Sequence, residues 1–446
     1  MAVLAALAAG SVSAAKAADD TSLTWNGVTL YGTLDMGVAY MTHGAPLSQD
    51  MPWLGALIQK NGNKSITSLA PNGLSQSKIG LKGSEKIADD LNVVFNLEMG
   101  FVPTSGRLVD SLAALVHNNG VALQNQKTAS DGSRAGQIFN GPAFAGLSSN
   151  KFGTLTIGRH NTQLTDVIGK YDPQNSSYAF SVLGFSGTTS GGGNTENGRT
   201  DNSIKYNFKY ENFRVGALWQ FGKNDGSPGD AGQLMAGADF GSFSIDGVYA
   251  FKNTSISAGS LSAAQIAAGL PPDSLSATVS DNKSWTLAAS YKIDDQWKIF
   301  GGYERITYSN PSNFLTAPFS GLGGYQFSVV NNNAYPFNKV LQVSWIGARF
   351  QLNKDWNLSA GYYHYDQNDY HSVVQSGVAV RAPCSDASAA SCSGALDAVS
   401  FVADYRFTPR FDTYAGVMYS KVSDGLANGY LYNSNTSLMM GFRFQF

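Results

Sequence analysis

Residues 436–446 of the 446-residue chain alternate strictly between apolar and mostly polar or small side chains. The apolar positions are Leu438, Met440, Phe442, Phe444 and Phe446. Because side chains on a β-strand point alternately to opposite faces, one face of this stretch is apolar throughout. In water such a strand would be an unprotected edge, whereas lipid against its apolar face and partners at both edges would stabilise it. The stretch therefore predicts a strand of a closed transmembrane barrel.

The composition favours a membrane barrel over an ordinary soluble domain. Charged residues make up 14% of the chain, against about 25% in average soluble domains, and aromatic residues make up 12%. The chain contains no run of about 18 apolar residues, so no transmembrane helix is predicted. A secreted β-sandwich or propeller would also fit this composition. The formal net charge of −2 gives no indication of a nucleic-acid partner.

The same alternation recurs along the chain in stretches of about ten residues, the length that crosses a bilayer at a tilt. Including residues 436–446, the predicted strands are 28–41, 74–84, 91–101, 137–148, 152–161, 202–210, 213–221, 232–240, 243–252, 284–293, 297–308, 339–352, 356–366, 397–407, 411–422 and 436–446. Short polar turns and longer loops alternate between them, which a sandwich would not show so strictly. The pattern predicts an all-β fold, a 16-stranded antiparallel transmembrane β-barrel with short periplasmic turns and long extracellular loops.

The side chains of the predicted strands indicate which face meets lipid and which meets water. Aromatic residues near the strand ends predict girdles at the two membrane interfaces; they are Tyr40, Phe101, Tyr210, Phe213, Tyr291, Trp297, Trp356, Phe407 and Phe411. The opposite parity is mostly polar, and sixteen strands leave room for an aqueous channel. A change of parity near Trp345 and Ile346 predicts a β-bulge in strand 339–352.

The N-terminal residues predict export, and export bears on the two cysteines. Residues 2–9 are apolar and residues 15–17 form a small-x-small cleavage site, so residues 1–18 are predicted to be a signal peptide and residues 19–446 the mature barrel. The alternative is an apolar helix of the mature protein. In an oxidising compartment Cys384 and Cys392, which are close in sequence, are predicted to form a disulfide.

Four stretches resemble the Gram-negative general diffusion porins. They read VTLYGTLD at 28–35, KIGLKGSE at 78–85, FGTLTIGR at 152–159 and RTDNSIKY at 199–206. The resemblance implies a homotrimer with one pore per subunit. It also implies that the third loop, residues 162–199, folds into the barrel and narrows it. The terminal Phe446 resembles the signal that the barrel assembly machinery recognises.

The resemblance also implies a constriction with opposed charges. The basic wall would consist of Lys78, Lys82, Arg159 and Arg199, and the acidic loop would contribute Asp166, Asp172 and Glu196. Opposed charges across a narrow aqueous neck would create a transverse field that favours polar solutes and biases ion selection. On this expectation, Arg159→Ala would shift the channel towards cations.

The sequence thus predicts a porin in the outer membrane of a Gram-negative bacterium. Its partners would be outer-membrane lipid and the ions and small hydrophilic solutes that diffuse passively through the pore. The five histidines have no spacing typical of metal ligands or a catalytic triad, so neither enzymatic activity, a metal nor a cofactor is predicted. Two alternatives remain: a substrate-selective channel for a sugar or organic acid, and an adhesive or structural barrel.

Overall fold

A computed structural model shows sixteen long antiparallel strands closed into one barrel. It describes residues 23–51, 60, 62–128, 137–183, 198–222, 229–322, 324–381, 392–427 and 429–446. The strands are β1 (Val28–Gly44), β2 (Lys78–Ala88), β3 (Leu91–Val102), β4 (Ala143–Ser149), β5 (Gly153–Asn161), β6 (Arg199–Tyr210), β7 (Phe213–Gln220), β8 (Ala231–Phe240), β9 (Phe243–Gly259), β10 (Ser274–Lys292), β11 (Trp297–Ser309), β12 (Lys339–Gln351), β13 (Trp356–Gln367), β14 (Gly394–Thr408), β15 (Phe411–Asp424) and β16 (Ser434–Gln445). The predicted signal peptide lies outside the described residues.

The first and last strands close the barrel. Each strand pairs with the next, and β1 pairs with β16, for example at Leu34 and Phe444. The backbones of Gly32 and Phe446 exchange two hydrogen bonds of 2.9 and 3.1 Å. The apolar parity of β16 faces outwards. The predicted 16-stranded antiparallel barrel is confirmed.

The connections differ at the two ends of the barrel, as the sequence predicts. The turns β2–β3, β6–β7 and β8–β9 contain two residues each, whereas the connection from β3 to β4 spans residues 103–142. Aromatic rings at the turn end form contacting pairs: the centroids of Trp297 and Phe350 lie 4.4 Å apart, and those of Trp356 and Tyr405 lie 4.8 Å apart. These rings form an aromatic belt at the end of the barrel with the short turns, which we call the lower aromatic belt.

Smaller elements occupy the loops. The helices are α1 (Ser111–His117), α2 (Gln163–Tyr171) and α3 (Ala263–Ala267), with 3₁₀ turns at Leu123–Asn125 and Gly425–Ala427. Short strands lie at Thr24–Trp25, Lys64–Pro71, Arg107–Leu108, Phe319–Leu322, Tyr325–Asn331, Ser372–Gln375 and Val378–Arg381. In the described part of the chain, no helix combines the length and apolarity needed to span a membrane.

The described part of the second long loop, within residues 103–142, packs against the ends of β9 and β10. Asp110 caps α1, and Leu112 of α1 packs with Ile256, Leu275 and Phe327 in one buried cluster. This apolar support explains why β9 and β10 extend several residues beyond the predicted ends at 252 and 284.

The predicted bulge in β12 is wrong. The pairing of β12 with β11 and β13 keeps one register throughout. Ile346 points outwards with 64% of its surface exposed, whereas Trp345 is 4% exposed and points inwards. The sequence pattern changes parity there because inward Val343 and Trp345 are apolar, and both belong to a cluster that includes the third loop. Register shifts occur between other strand pairs, for example between β5 and β6 next to Gly158, which has a φ of +137°.

A buried carboxylate holds the end of the first loop away from β2. Asp35 accepts hydrogen bonds from the backbone N–H groups of Gly73, Leu74 and Ser75 at 2.8–3.0 Å. It also accepts one from the hydroxyl of Tyr414 at 2.6 Å. The backbone near residue 74 is therefore bound to this side chain, and β2 begins at Lys78 instead of the predicted residue 74.

We expect Asp35→Ala to destabilise the folded barrel by about 3 kcal/mol, because it leaves several buried donors unsatisfied. Tyr414→Phe removes only one of these bonds and should cost about 1 kcal/mol. Urea unfolding in detergent, followed by tryptophan fluorescence, measures both variants. Equal midpoints for Asp35→Ala and the wild type would contradict this role.

Candidate functional site

The third loop begins with an amphipathic helix that lies inside the barrel. The hydroxyl of Thr162 accepts a hydrogen bond from the Thr165 N–H and caps α2. Apolar side chains recur at helical spacing on one face of α2. They are Leu164, Val167, Ile168 and Tyr171, each at most 4% exposed. This face packs on the inner wall in one cluster with Val248 of β9 and Ile306 of β11.

Side chains of the wall hold the loop along its path. The Gln233 side-chain oxygen accepts a hydrogen bond from the Leu164 N–H at 2.9 Å. Further along, the Trp345 indole donates to the Tyr171 carbonyl at 3.1 Å. Arg349 donates to the carbonyls of Pro173 and Asp172 at 2.7 and 2.6 Å. The described part of the third loop thus lies against the inner wall.

Two glycines let the loop approach the wall closely. A Cβ at Gly347 would lie 2.4 Å from Cγ of Pro173, and a Cβ at Gly416 would lie 2.7 Å from Cε1 of Phe180. Both distances are too short for a side chain, so these positions need glycine. The alternation pattern did not predict this apolar, glycine-containing contact surface, although inward apolar residues beside glycine were its signal.

Three of the predicted basic residues meet around one carboxylate, which we name the Glu98 cluster: Lys78, Lys82, Arg199, Glu98 and Tyr31. Lys78 Nζ lies 2.8 Å from Glu98, and Arg199 Nη2 lies 3.9 Å from it. Tyr31 donates to Glu98 at 3.1 Å, and Lys82 Nζ lies 5.3 Å from the Tyr31 ring. Lys78, Lys82, Tyr31 and Glu98 lie on the inward parity of their strands, and Arg199 reaches Glu98 from the start of β6. The cluster holds three cations and one carboxylate, so it is positive.

A second charged group, the Asp246 cluster, lies beside α2. Its members are Lys170, Lys209, Arg214, Asp239 and Asp246. Arg214 bridges both carboxylates, with distances of 2.5 Å to Asp246 and 2.7 Å to Asp239. Lys170 of α2 lies 3.2 Å from Asp246, and Lys209 lies 3.9 Å from Asp239. The family motifs did not predict this cluster, although its members on β6–β9 follow the inward parity. It borders a polar cavity of about 530 Å³.

Arg159 does not face the lumen, which corrects the expectation for it. It shares the outward parity of Leu155 and Ile157, and it is 6% exposed. Its guanidinium pairs with Asp201 at 2.6 Å and donates to the Gly141 carbonyl at 3.1 Å. Resemblance alone placed it at the constriction, whereas strand parity places it on the other face.

The acidic loop is also corrected. Asp172 is fully buried and accepts a hydrogen bond from the Tyr363 hydroxyl at 2.8 Å. Burial raises the pKa of the Asp172 carboxyl above its ordinary value. Asp166 is about half exposed, but Lys205 lies 2.5 Å from it. Glu196 lies outside the described residues.

The remaining predicted positions carry no chemistry at the lumen. Cys384 lies outside the described residues; Cys392 is buried, and no described cysteine is free. The role of Phe446 in assembly stays a prediction.

The described histidines and carboxylates form no metal site. Inward-facing His160 lies 2.8 Å from the Ser203 hydroxyl and stacks on Phe144. Across the described ranges, no three His, Cys, Asp or Glu side chains are grouped to hold a metal ion.

Comparison with known proteins relates the chain to porins. The family model described as Gram-negative porin matches residues 2–425. An outer membrane porin protein of Bordetella pertussis is 30% identical over 225 residues, which cover 50% of this chain and 48% of that protein. Outer membrane porin protein 32 of Delftia acidovorans is 25% identical over 279 residues, covering 62% and 63%. The chain thus spans about half to two thirds of the length of these relatives.

A solved structure shares the fold. The anion-selective porin from Comamonas acidovorans superposes with a TM-score of 0.60 at 18% identity, covering 94% of this chain and 99% of that one.

Proposed function

The chain belongs to the Gram-negative porins, proteins of the outer membrane, and from this premise we propose that it forms a water-filled channel for small hydrophilic solutes with a preference for anions. Ions and solutes would pass by diffusion. The observation that carries the anion preference is the excess of inward-facing cations beside the third loop.

Both charged clusters contribute to this excess. The Glu98 cluster has three cations to one carboxylate, and the Asp246 cluster has three to two. Lys298 adds an inward cation on β11 and forms no ion pair within the described residues; its Nζ lies 4.9 Å from the Phe300 ring. A positive lining in a water-filled passage raises the local anion concentration.

We place the neck between the Glu98 cluster and α2. The predicted transverse field needs an acidic loop, but Asp172 is buried and Asp166 is paired. On the side of α2, Lys170 is paired with Asp246, but Lys298 adds a cation that forms no ion pair in the described part of the chain. These residues favour a neck with cations on both sides, which sorts ions by sign.

Planar bilayer recordings test the proposal. With a potassium chloride gradient across the membrane, the zero-current potential should show chloride permeating faster than potassium. Flux of neutral sugars should rise linearly with concentration and fall with solute size. A cation preference would contradict the proposed selectivity, and saturation by a single solute would favour a substrate-selective channel. A purified barrel without conductance would contradict the channel itself.

The assembly is a further part of the proposal. We expect a homotrimer that the barrel assembly machinery inserts, with Phe446 as a recognition element. Chemical cross-linking of native outer membranes, followed by mass analysis, measures the number of copies. A purely monomeric product would contradict the trimer.

A further inference from the structure

The second long loop is bound at two places that lie far apart around the barrel. It leaves the barrel after Val102 at the end of β3, and it packs against the ends of β9 and β10. In the order of paired strands, β9 and β10 stand six and seven places from β3, which is nearly half of the circumference. The described residues 103–128 therefore cross the barrel mouth, at the end away from the lower aromatic belt. We name them the second-loop bridge.

The near end of the bridge is fixed to the first loop through one buried carboxylate. Asp50 is 4% exposed, and its side chain lies 3.0 Å from Arg107 Nη1 and 3.2 Å from His117 Nδ1. Its backbone carbonyl accepts a hydrogen bond from the Asp110 N–H at 2.7 Å. The residues before α1 and the last residue of α1 are thus bound to the same position of the first loop.

The far end of the bridge is fixed by the side chain of Asn119, which follows α1. Its amide nitrogen donates hydrogen bonds to the carbonyls of Pro272 and Ser274 at 2.5 and 2.8 Å. Its oxygen accepts a hydrogen bond from the Leu261 N–H at 2.6 Å. One side chain therefore binds the bridge to both ends of the connection between β9 and β10.

Between these attachments, α1 is buried on two sides. Leu112 and Leu115 belong to the buried cluster that includes β9 and β10. Ala114, which is 1% exposed, points to another side of the helix and packs with Met51 of the first loop and Tyr178 of the third loop. A helix of seven residues is too short to be stable alone, so the two supports determine where α1 lies.

The crossing is not needed to connect the strands. β3 and β4 are paired neighbours in the barrel, so a short turn at the mouth would join them. The chain instead crosses to the far wall and fixes a buried helix there. A side effect of this path is that part of the opening above the third loop is occupied by protein.

We propose that the second-loop bridge is an outer size filter, which solutes meet before they reach the neck, and that Asn119 is the positioning residue that holds it across the mouth. This inference rests on the proposed channel function. The charged clusters beside the third loop sort ions by sign, whereas the bridge limits the cross-section available to any solute, charged or neutral. A solute wider than the remaining gap passes only when the bridge opens.

Swelling of proteoliposomes measures the filter in the whole protein. With the wild type, swelling should be fast in the monosaccharide arabinose and slow in the trisaccharide raffinose. Replacing residues 111–120 by a glycine-serine linker of equal length removes α1 and Asn119. It should raise the raffinose-to-arabinose ratio of swelling rates about tenfold, because an open state that is the minor one holds at most about 10% of the molecules.

Asn119→Ala tests the attachment with a single side chain. It should raise the same ratio about threefold or more, since it removes three hydrogen bonds that together favour the closed bridge. The matched control is Asn368→Ala. Asn368 donates to the Asn338 carbonyl at 3.0 Å and accepts from the Val340 N–H at 2.7 Å, so its loss removes a similar amide contact between loop residues away from the bridge. This control should leave the ratio unchanged.

Each outcome has a defined meaning once heat-modifiable migration in gels shows that the variants are folded. Equal ratios in the wild type and the linker variant would overturn the size filter, and an unchanged ratio in Asn119→Ala would overturn the role of Asn119. The zero-current potential should stay constant in both variants, and a shift would show that the bridge acts through charge instead of size. A wild type that does not admit arabinose would contradict the channel itself, so the failure of the two proposals is distinguishable.

Discussion

Replacing both Lys78 and Lys82 by glutamine is expected to reduce the anion preference of the channel strongly, leaving only the smaller excess of the Asp246 cluster and Lys298. The change leaves Glu98 with Arg199 as the remaining charged pair and makes the Glu98 cluster neutral. A unit charge at close range in water is worth about 1 kcal/mol, so each lysine accounts for up to roughly a fivefold change in the chloride-to-potassium permeability ratio. The zero-current potential in a salt gradient measures this ratio.

A matched control tests whether the change in selectivity requires the loss of a charge in the lumen. Lys283→Gln removes the same charge from an exposed residue on the outward parity of β10, next to Trp285. It should leave the zero-current potential unchanged. High salt should reduce the difference between the double variant and the wild type, because mobile ions screen exposed charges. An unaltered potential in the double variant would contradict the assignment of the Glu98 cluster to the neck.

The barrel could be predicted because every strand must present apolar side chains to lipid and polar side chains to water. Lipid outside and water inside impose a period of two on each strand, and residues 436–446 show it most clearly. The prediction was inaccurate where another contact overrides this period. At residue 74 the Asp35 carboxylate binds the backbone, and at Trp345 an inward apolar side chain packs on the loop.

The site was predictable only in part, for a different reason. Lys78, Lys82 and Arg199 were found from their family motifs; both lysines lie on the inward parity of β2, and Arg199 reaches the same cluster through Glu98. Arg159 was assigned by the same reasoning and was wrong, since the parity of its strand places it outside. We therefore expect Arg159→Ala to leave the zero-current potential unchanged, contrary to the shift towards cations that the sequence predicts.

Neither strand parity nor a family motif was available to predict the positions of side chains in the third loop. The burial of Asp172 depends on long-range contacts with Tyr363 and Arg349, which lie more than 170 residues away in the chain. No local pattern encodes these contacts.

Arg349 is expected to control how often the third loop leaves the wall. Its guanidinium donates to the carbonyls of Pro173 and Asp172 and to the side chain of Asn175 at 2.5–2.7 Å. Hydrogen bonds to a charged group contribute about 1.5–3 kcal/mol. A loss of 2–3 kcal/mol in Arg349→Met raises the population of a released loop roughly 30- to 150-fold. Single-channel recordings should therefore show far more frequent changes in conductance.

Two further variants distinguish anchoring from charge. Arg349→Lys keeps the positive charge but lacks the planar fork that serves several acceptors, so it should show most of the same instability. Arg406→Met removes an inward cation close to the turn at residues 409–410 and should leave the conductance steady. If Arg349→Lys is as quiet as the wild type while Arg349→Met fluctuates, charge in the lumen and not the grip on residues 172–175 determines the behaviour. The conductance changes would then have an electrostatic cause. The apolar contacts of Phe180 and the α2 face would be enough to hold the loop against the wall.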